Sequence, residues 1–307
     1  MRTKTSAKTS TVTSTKASTK ISTKISTVTS AVTSRDGTVI SYRTLGRGPG
    51  VVVLHGMMQA GHSQLELAQA LSGSFTCHLP DRRGRGRSGP YGDYSVEREV
   101  EDLDALLTAT GAERVIGVSA GAIITLRTAL VQPALRKAVI FDPPLDLDGS
   151  LSSGWLPRFD REIAEGRTAA ALVTAMLAIK MGPPVFNIMP RGLLEFVTGR
   201  MLAAQDRGGA GDEPTFRALA PTVHYDAQVV AETARSLDDY RDVRAEVLLL
   251  GGAKSPAYMK AALDALERVL PHATRTRLPG LGHNATSNAD FRGAPAKVAE
   301  AVRSFLA

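Results

Sequence analysis

The chain has almost no cysteine and no long apolar run, and both absences limit what it can be. Cys77 is the one cysteine in 307 residues, so an internal disulfide and a cysteine-based metal cluster are excluded. No run approaches the length of about 18 apolar residues that a membrane-spanning helix needs, and the first residues lack the apolar core of a signal peptide. We therefore expect a cytoplasmic protein with no metal site and no membrane span.

Acidic residues are missing from the first 34 positions, and this absence accounts for most of the high net charge. The formal net charge is +7, and six of the 37 basic residues lie within residues 1–34. The rest of the chain has 31 basic and 30 acidic side chains, so it is close to neutral. A basic surface of the kind that binds nucleic acid is therefore not expected.

Residues 1–34 are also poor in large apolar side chains, and they repeat a tetrapeptide rich in serine, threonine and lysine. Such a segment buries too little apolar surface to offset the entropy that is lost when a chain becomes ordered. We expect residues 1–34 to form a disordered tail.

Strand and helix patterns alternate on both sides of a helical middle segment. Short runs of valine, isoleucine and leucine alternate with segments of helical apolar spacing, which is typical of a parallel sheet covered by helices. The alternation stops after Pro144 and resumes with the strand-like run 245–250. We therefore expect an α/β core formed by residues 35–144 and 241–307, with residues 145–240 inserted as a helical lid.

The segment Gly117–Gly121 reads Gly-Val-Ser-Ala-Gly and lies between a predicted strand and a predicted helix. It fits the pattern G-x-S-x-G, in which a tight turn exposes the serine hydroxyl above the sheet. Glycines tolerate the strained backbone of such a turn, and the helix N-terminus favours developing negative charge. Because a serine hydroxyl is a poor nucleophile without a base, the pattern indicates catalysis only when a base lies nearby.

Four motifs in this order resemble those of the α/β-hydrolase superfamily, over nearly all of residues 35–307. His55-Gly56 ends the third predicted strand, Asp81–Ser88 resembles the D-x-R-G-x-G-x-S turn, Gly117–Gly121 resembles the nucleophile elbow and Gly280–His283 resembles the terminal G-x-x-H loop. The resemblance implies an α/β-hydrolase fold, with a mostly parallel central sheet, flanking helices and an inserted helical lid. It also implies that the arginines of Asp81–Ser88 are structural rather than a phosphate site.

The resemblance assigns the remaining catalytic groups around Ser119 as nucleophile. His283 follows the last strand, which places it at the same sheet edge as Ser119, and a histidine can take and return a proton near neutral pH. The oxyanion of a tetrahedral intermediate needs preorganised donors. These are the backbone amide of Ala120 and, by resemblance, that of Met57.

The acid departs from the usual family pattern. Many members carry an aspartate in the loop after the strand that corresponds to residues 247–250, but Gly251–Pro256 contains no carboxylate. Asp142 follows the strand after the nucleophile, an alternative position that some members use. It is the candidate acid, and Asp146 or Asp148 could substitute.

These residues predict a cofactor-independent serine hydrolase that cleaves a carboxylic ester, lactone or thioester of a small apolar molecule through an acyl-enzyme. Met58, Met176 and Phe186 are candidate substrate contacts, although ordinary packing would explain them equally well. A carbon–carbon bond hydrolase or a cofactor-free perhydrolase would share the same triad, and a non-catalytic ligand-binding protein would share the fold. The substrate and the oligomeric state are not predicted.

Overall fold

The computed structural model describes residues 26–149, 151, 153–182, 184–208, 213–234 and 237–307.

One sheet organises the described part of the chain. Its strands are β1 (Val28–Thr33), β2 (Val39–Gly46), β3 (Gly50–Leu54), β4 (Thr76–Pro80), β5 (Arg114–Val118), β6 (Lys137–Phe141), β7 (Glu246–Gly252) and β8 (Ala273–Leu278). They lie in the order β1-β2-β4-β3-β5-β6-β7-β8. β3 to β8 are parallel, and β2 is antiparallel to β1 and to β4. The carboxyl ends of the parallel strands therefore share one edge, where α/β proteins bind their ligands.

The helices of the described residues are α1 (Leu65–Leu71), α2 (Val96–Thr110), α3 (Ala120–Val131), α4 (Leu156–Ala164), α5 (Thr168–Ala178), α6 (Arg191–Gly208), α7 (Phe216–Leu219), α8 (Val223–Glu232), α9 (Ala257–Val269) and α10 (Pro295–Leu306). Short 3-10 turns cover Gly61–Gln64, Pro184–Asn187, Ala220–Thr222, Leu237–Asp242, His283–Thr286 and Ala289–Phe291. Helices α4 to α8 all lie between β6 and β7, where the sequence predicts the helical insertion.

The sheet is buried on both faces, and this explains why its strands read as continuous apolar runs. Successive residues of β3 alternate between two cores: Val52 packs on one side with α2, α3 and α9, and Val51 packs on the other side with α1 and α10. The predicted fold class, a mostly parallel sheet with flanking helices and a helical insertion, is confirmed.

The prediction of disorder over residues 1–34 is wrong for its last part. Val28–Thr33 forms the edge strand β1, paired in register along β2, and Val32 packs against the core below it. Backbone pairing with β2 and the packing of Val32 on the core offset the ordering entropy that the tetrapeptide pattern suggested would dominate. Residues 1–25 lie outside the described residues.

None of the helices in the described ranges is long and apolar enough to cross a membrane. The cytoplasmic location stays a prediction.

Candidate active site

Ser119 occupies the turn between β5 and α3 in a strained conformation. Its φ is +56° and its ψ is −121°, values that a residue with a side chain rarely adopts. A Cβ atom on Gly121 would lie 2.5 Å from the carbonyl oxygen of Leu54, and one on Gly117 would collide with the hydroxyl of Thr125. Both glycines are therefore needed for the close packing that holds Ser119 at the carboxyl edge of the sheet.

Asp142 and His283 meet beside this turn. Asp142 follows β6 directly and is fully buried, and His283 begins the 3-10 turn after β8. The Oδ2 atom of Asp142 is 3.4 Å from Nδ1 of His283. The ring of Phe141 stacks on the imidazole of His283, with 6.2 Å between the two ring centroids. An acid that contacts Nδ1 leaves Nε2 available for proton transfer.

The two alternative acids are placed elsewhere. Asp146 accepts a hydrogen bond from the backbone amide of Leu151, and Asp148 is exposed. Of the three candidates, Asp142 is the one in contact with His283.

Ser255 is a site residue that the sequence reasoning missed. Its hydroxyl donates a hydrogen bond to Oδ2 of Asp142, and both groups are buried. Tyr258 lies nearby, and burial together with the negative charge of Asp142 raises the pKa of its hydroxyl to about 12. The sequence feature that could have identified Ser255 is its position in the loop after β7, where many family members carry their acid.

His55 holds the turn that is expected to form the oxyanion site. It is fully buried, and burial together with the charges of Arg82 and Arg85 keeps its pKa well below 6.5, so the ring is neutral. Nε2 accepts a hydrogen bond from the backbone amide of Arg82, so Nδ1 carries the proton. Nδ1 therefore donates a hydrogen bond to the carbonyl oxygen of Gly56, at 2.9 Å. That carbonyl belongs to the same peptide unit as the amide of Met57. His55 therefore sets the direction of the predicted oxyanion donor.

Gln59 joins this turn to the loop that carries His283, and it too was missed. Its Oε1 atom accepts a hydrogen bond from the amide of Gly56 at 3.0 Å, and its Nε2 donates one to the hydroxyl of Ser287 at 2.9 Å. The sequence feature that could have identified Gln59 is its long polar side chain, two residues after the predicted oxyanion donor. Gln59 therefore fixes the position of the turn that carries the predicted oxyanion donor relative to the loop that carries the predicted base, His283.

An apolar cavity of about 320 Å³ opens onto these groups. Its walls include Ser119 and His283, the predicted donors Met57 and Ala120, and the predicted substrate contacts Met58 and Met176. Most of the other lining side chains are apolar, among them Trp155, Leu172, Ile179 and Val223.

Phe186 is not among the residues that line the cavity. It lies in the 3-10 turn Pro184–Asn187, half-buried and packed so closely on Gly182 that a Cβ atom there would be 2.7 Å from its ring. Phe186 therefore lies outside the cavity wall, and its contact with the substrate stays a prediction.

The arginines of the Asp81–Ser88 turn are structural, as the resemblance implied. Arg82 pairs with Glu99 and with Asp226 of α8, at 2.5 Å and 2.7 Å, and Arg85 pairs with the other oxygen of Asp226 at 2.8 Å. All four side chains are buried. Asp226 also lines the cavity, so this network attaches the helical insertion to the core beside the site.

Known proteins resemble this chain over most of its length. It is 26% identical over 274 residues to a pimeloyl-[acyl-carrier protein] methyl ester esterase of Xanthomonas campestris pv. campestris, covering 86% of this chain and 97% of the relative. It is 25% identical over 252 residues to a 2-(acetamidomethylene)succinate hydrolase of Mesorhizobium japonicum, covering 80% and 84%. The crystal structure of an alpha/beta hydrolase from Sphaerobacter thermophilus matches with a TM-score of 0.73 and 29% identity, over 91% of this chain and all of that one.

The family model described as the alpha/beta hydrolase family matches residues 51–301, which include the Ser119 turn, Asp142 and His283. The order of the strands, the helical insertion and the position of the serine turn agree with this match. The chain belongs to the alpha/beta hydrolase family, and the expected fold and hydrolase class are confirmed.

Proposed function

We propose that this protein is a serine hydrolase that cleaves an ester-type bond of a small, apolar substrate. The observation that carries the proposal is the contact between Asp142 and His283, together with the presence of His283 and Ser119 in the wall of one apolar cavity. The three residues come from the ends of three parallel strands that share one edge. The chain order serine, aspartate, histidine is the order of this fold.

In the proposed mechanism His283 takes the proton of the Ser119 hydroxyl while Oγ attacks the carbonyl carbon. The amides of Met57 and Ala120 stabilise the oxyanion, and Asp142 stabilises the imidazolium. The carbon–oxygen bond then breaks, and His283 returns the proton to the leaving alcohol. Water attacks the acyl-enzyme with His283 again as base, and the acid is released. Among the described contacts the Ser119 hydroxyl forms no hydrogen bond, and such bonds often tighten only when substrate is bound.

The cavity supports a small apolar substrate. Among the described lining residues the one acid, Asp226, is neutralised by Arg82 and Arg85, so this part of the wall presents no free carboxylate to the substrate. A relative named as a methyl ester esterase supports an ester as the bond that is cleaved. The proposed substrate is therefore a neutral ester, lactone or thioester with an apolar acyl part.

The non-catalytic alternative loses its main support. It was based on the missing acid in the loop after β7, and the contact of Asp142 with His283 supports an acid from the neighbouring strand instead. Carbon–carbon bond hydrolysis and perhydrolysis would use the same groups, and a substrate panel distinguishes them from ester hydrolysis.

Covalent labelling tests the proposal. A fluorophosphonate probe is expected to label the wild-type protein at Ser119, and Ser119→Ala is expected to abolish both the labelling and the hydrolysis of chromogenic short-chain esters. Ser153→Ala is the matched control, because Ser153 also lines the cavity. Labelling that persists in Ser119→Ala, or no labelling of the folded wild-type protein, would contradict the proposed nucleophile.

A further inference from the structure

Helix α6 carries apolar side chains on two sides. Leu194 and Leu202 are buried on the side of α6 that faces the rest of the insertion, where α6 packs on α5. Other apolar side chains follow at helical spacing and are 47% to 65% exposed: Leu193, Phe196, Val197 and Met201. A helix that is apolar on two sides is normally buried on both. In the described part of the chain, the second side of α6 has no covering element.

The residues just before α6 in the chain carry two further exposed apolar side chains. Val185 is 48% exposed and Ile188 is 82% exposed, in and after the 3-10 turn Pro184–Asn187. Six of the ten large apolar side chains that are exposed in the described residues thus lie between positions 185 and 201. Such concentration is typical of an interaction site rather than of scattered surface residues. We call these six residues the apolar face: Val185, Ile188, Leu193, Phe196, Val197 and Met201.

The apolar face adjoins the cavity. Met201 is both exposed and part of the cavity wall, and Thr198 of the same helix also lines the cavity. An apolar molecule that reaches the apolar face is therefore next to the wall of the cavity that Ser119 also lines.

The unpaired charges that flank the apolar face along the chain are positive. Lys180, Arg200 and Arg207 are exposed, and no described contact pairs them with an acid. The two acids of α6 are neutralised, since Glu195 pairs with Arg191 at 2.6 Å and Asp206 pairs with Arg217 at 3.1 Å. Arg200 follows Phe196 by four residues and Val197 by three, so it lies on the same side of the helix as both. Apolar side chains with unpaired basic residues beside them are typical of helices that bind membrane interfaces.

We propose that the apolar face docks on the surface of an anionic phospholipid bilayer. Phe196 and Ile188 would enter the acyl region, and Lys180, Arg200 and Arg207 would lie at the lipid phosphates. A second copy of this chain fits less well, because a two-fold interface centred on α6 would bring the two Arg200 side chains together. The negative potential of an anionic bilayer attracts the same basic residues. Transfer of an ester from the bilayer into the cavity rests in addition on the proposed function.

Vesicle co-sedimentation of the full chain tests the docking. We expect the protein to pellet with vesicles of equal phosphatidylcholine and phosphatidylglycerol, and at least fivefold less with phosphatidylcholine alone. The double variant Phe196→Ser/Ile188→Ser is expected to reduce the bound fraction at least fivefold, and Arg200→Glu to reduce it severalfold. Val131→Ser is the matched control, because Val131 is an equally exposed apolar residue at the far end of α3. Circular dichroism checks that each variant is folded.

Three results would overturn the docking proposal. The first is that the protein pellets with neither type of vesicle. The second is that binding survives the double substitution, which would assign it to another part of the chain, such as the basic residues 1–34. The third is a dimer in sedimentation velocity that Phe196→Ser dissociates. Ser119→Ala is expected to bind vesicles normally while losing hydrolysis of soluble esters. The double variant is expected to hydrolyse those esters at the wild-type rate. Failure of the docking and failure of the proposed hydrolysis are thus distinguishable.

Discussion

Ser255 donates a hydrogen bond to the Oδ2 atom of Asp142, the same oxygen that lies 3.4 Å from Nδ1 of His283. β6 and β7 are neighbours in the sheet, so the loop after β7 meets the end of β6. Gly252 allows the approach, since a Cβ atom there would lie 2.7 Å from the Ser255 hydroxyl. The loop in which many family members carry their acid thus supplies a hydroxyl that holds Asp142, the proposed acid of the neighbouring strand.

Ser255→Ala is expected to lower kcat about tenfold with little change in KM. The loss of one hydrogen bond to a charged group costs about 1.5 kcal/mol, which corresponds to about a tenfold change in rate. Steady-state kinetics on a soluble ester measure the change, and Ser153→Ala is the control. Equal losses in both variants would contradict a specific role for Ser255.

Asp142→Asn is expected to lower kcat by about 10⁴-fold without unfolding the protein, the size of effect known for the acid of a Ser-His-Asp triad. Asp146→Asn and Asp148→Asn are expected to stay within about twofold of the wild type, because neither residue contacts His283. Kinetics and circular dichroism of the three variants check this. A larger loss in Asp146→Asn or Asp148→Asn would move the role of the acid to that residue.

Gly121→Ala is expected to abolish activity and to destabilise the fold by about 1–3 kcal/mol, the usual range for overpacking. Its Cβ atom would meet the carbonyl oxygens of Leu54 and His55 at 2.5 Å and 2.6 Å, and neither backbone group can rotate away. Gly192→Ala is the control, because its Cβ would meet no atom within 4 Å and alanine is the better helix former. Urea unfolding measures both, and a neutral Gly121→Ala would contradict the packing of the turn.

Asp226→Asn is expected to lower the free energy of unfolding by about 3 kcal/mol, because it removes a buried partner from Arg82 and Arg85. Asp239→Asn removes an exposed partner of Arg127 and is expected to cost less than about 1 kcal/mol. Denaturant unfolding of the two variants compares the sites. Equal effects would show that the buried network does not hold the insertion on the core.

Acid is expected to destabilise the protein between pH 7.5 and 5.5. Burial keeps the pKa of His55 and of His78 below 6.5 in the fold, so the unfolded chain binds more protons as the pH falls below 6.5. The stability that each neutral ring provides is present above pH 6.5 and is lost below it, by about 1 kcal/mol at pH 5.5 for His55, whose pKa lies well below 6.5, and by less for His78. Urea titrations at the two pH values measure the loss. His78→Gln is expected to reduce it, and an unchanged loss would exclude His78 as a source.

The sequence was sufficient for the features that depend on local chemistry. The alternating apolar patterns predicted the parallel sheet, since strands that are buried on both faces must be apolar throughout. The glycines around Ser119 predicted the tight turn, because a Cβ atom at either position would collide with neighbouring atoms. The edge strand Val28–Thr33 was missed because its pairing with β2 is not visible in its own composition.

The tertiary structure decided what distant segments do to one another. The sequence alone left Asp142, Asp146 and Asp148 open, and the distance to His283 separates them. Ser255 and Gln59 act on groups that are 113 and 228 residues away in the chain, which no local pattern encodes. Phe186 and Met176 are similar apolar residues in sequence and both lie near Gly182, yet only Met176 is in the cavity wall. Local chemistry thus determined the parts of this site, and long-range packing determined which parts meet.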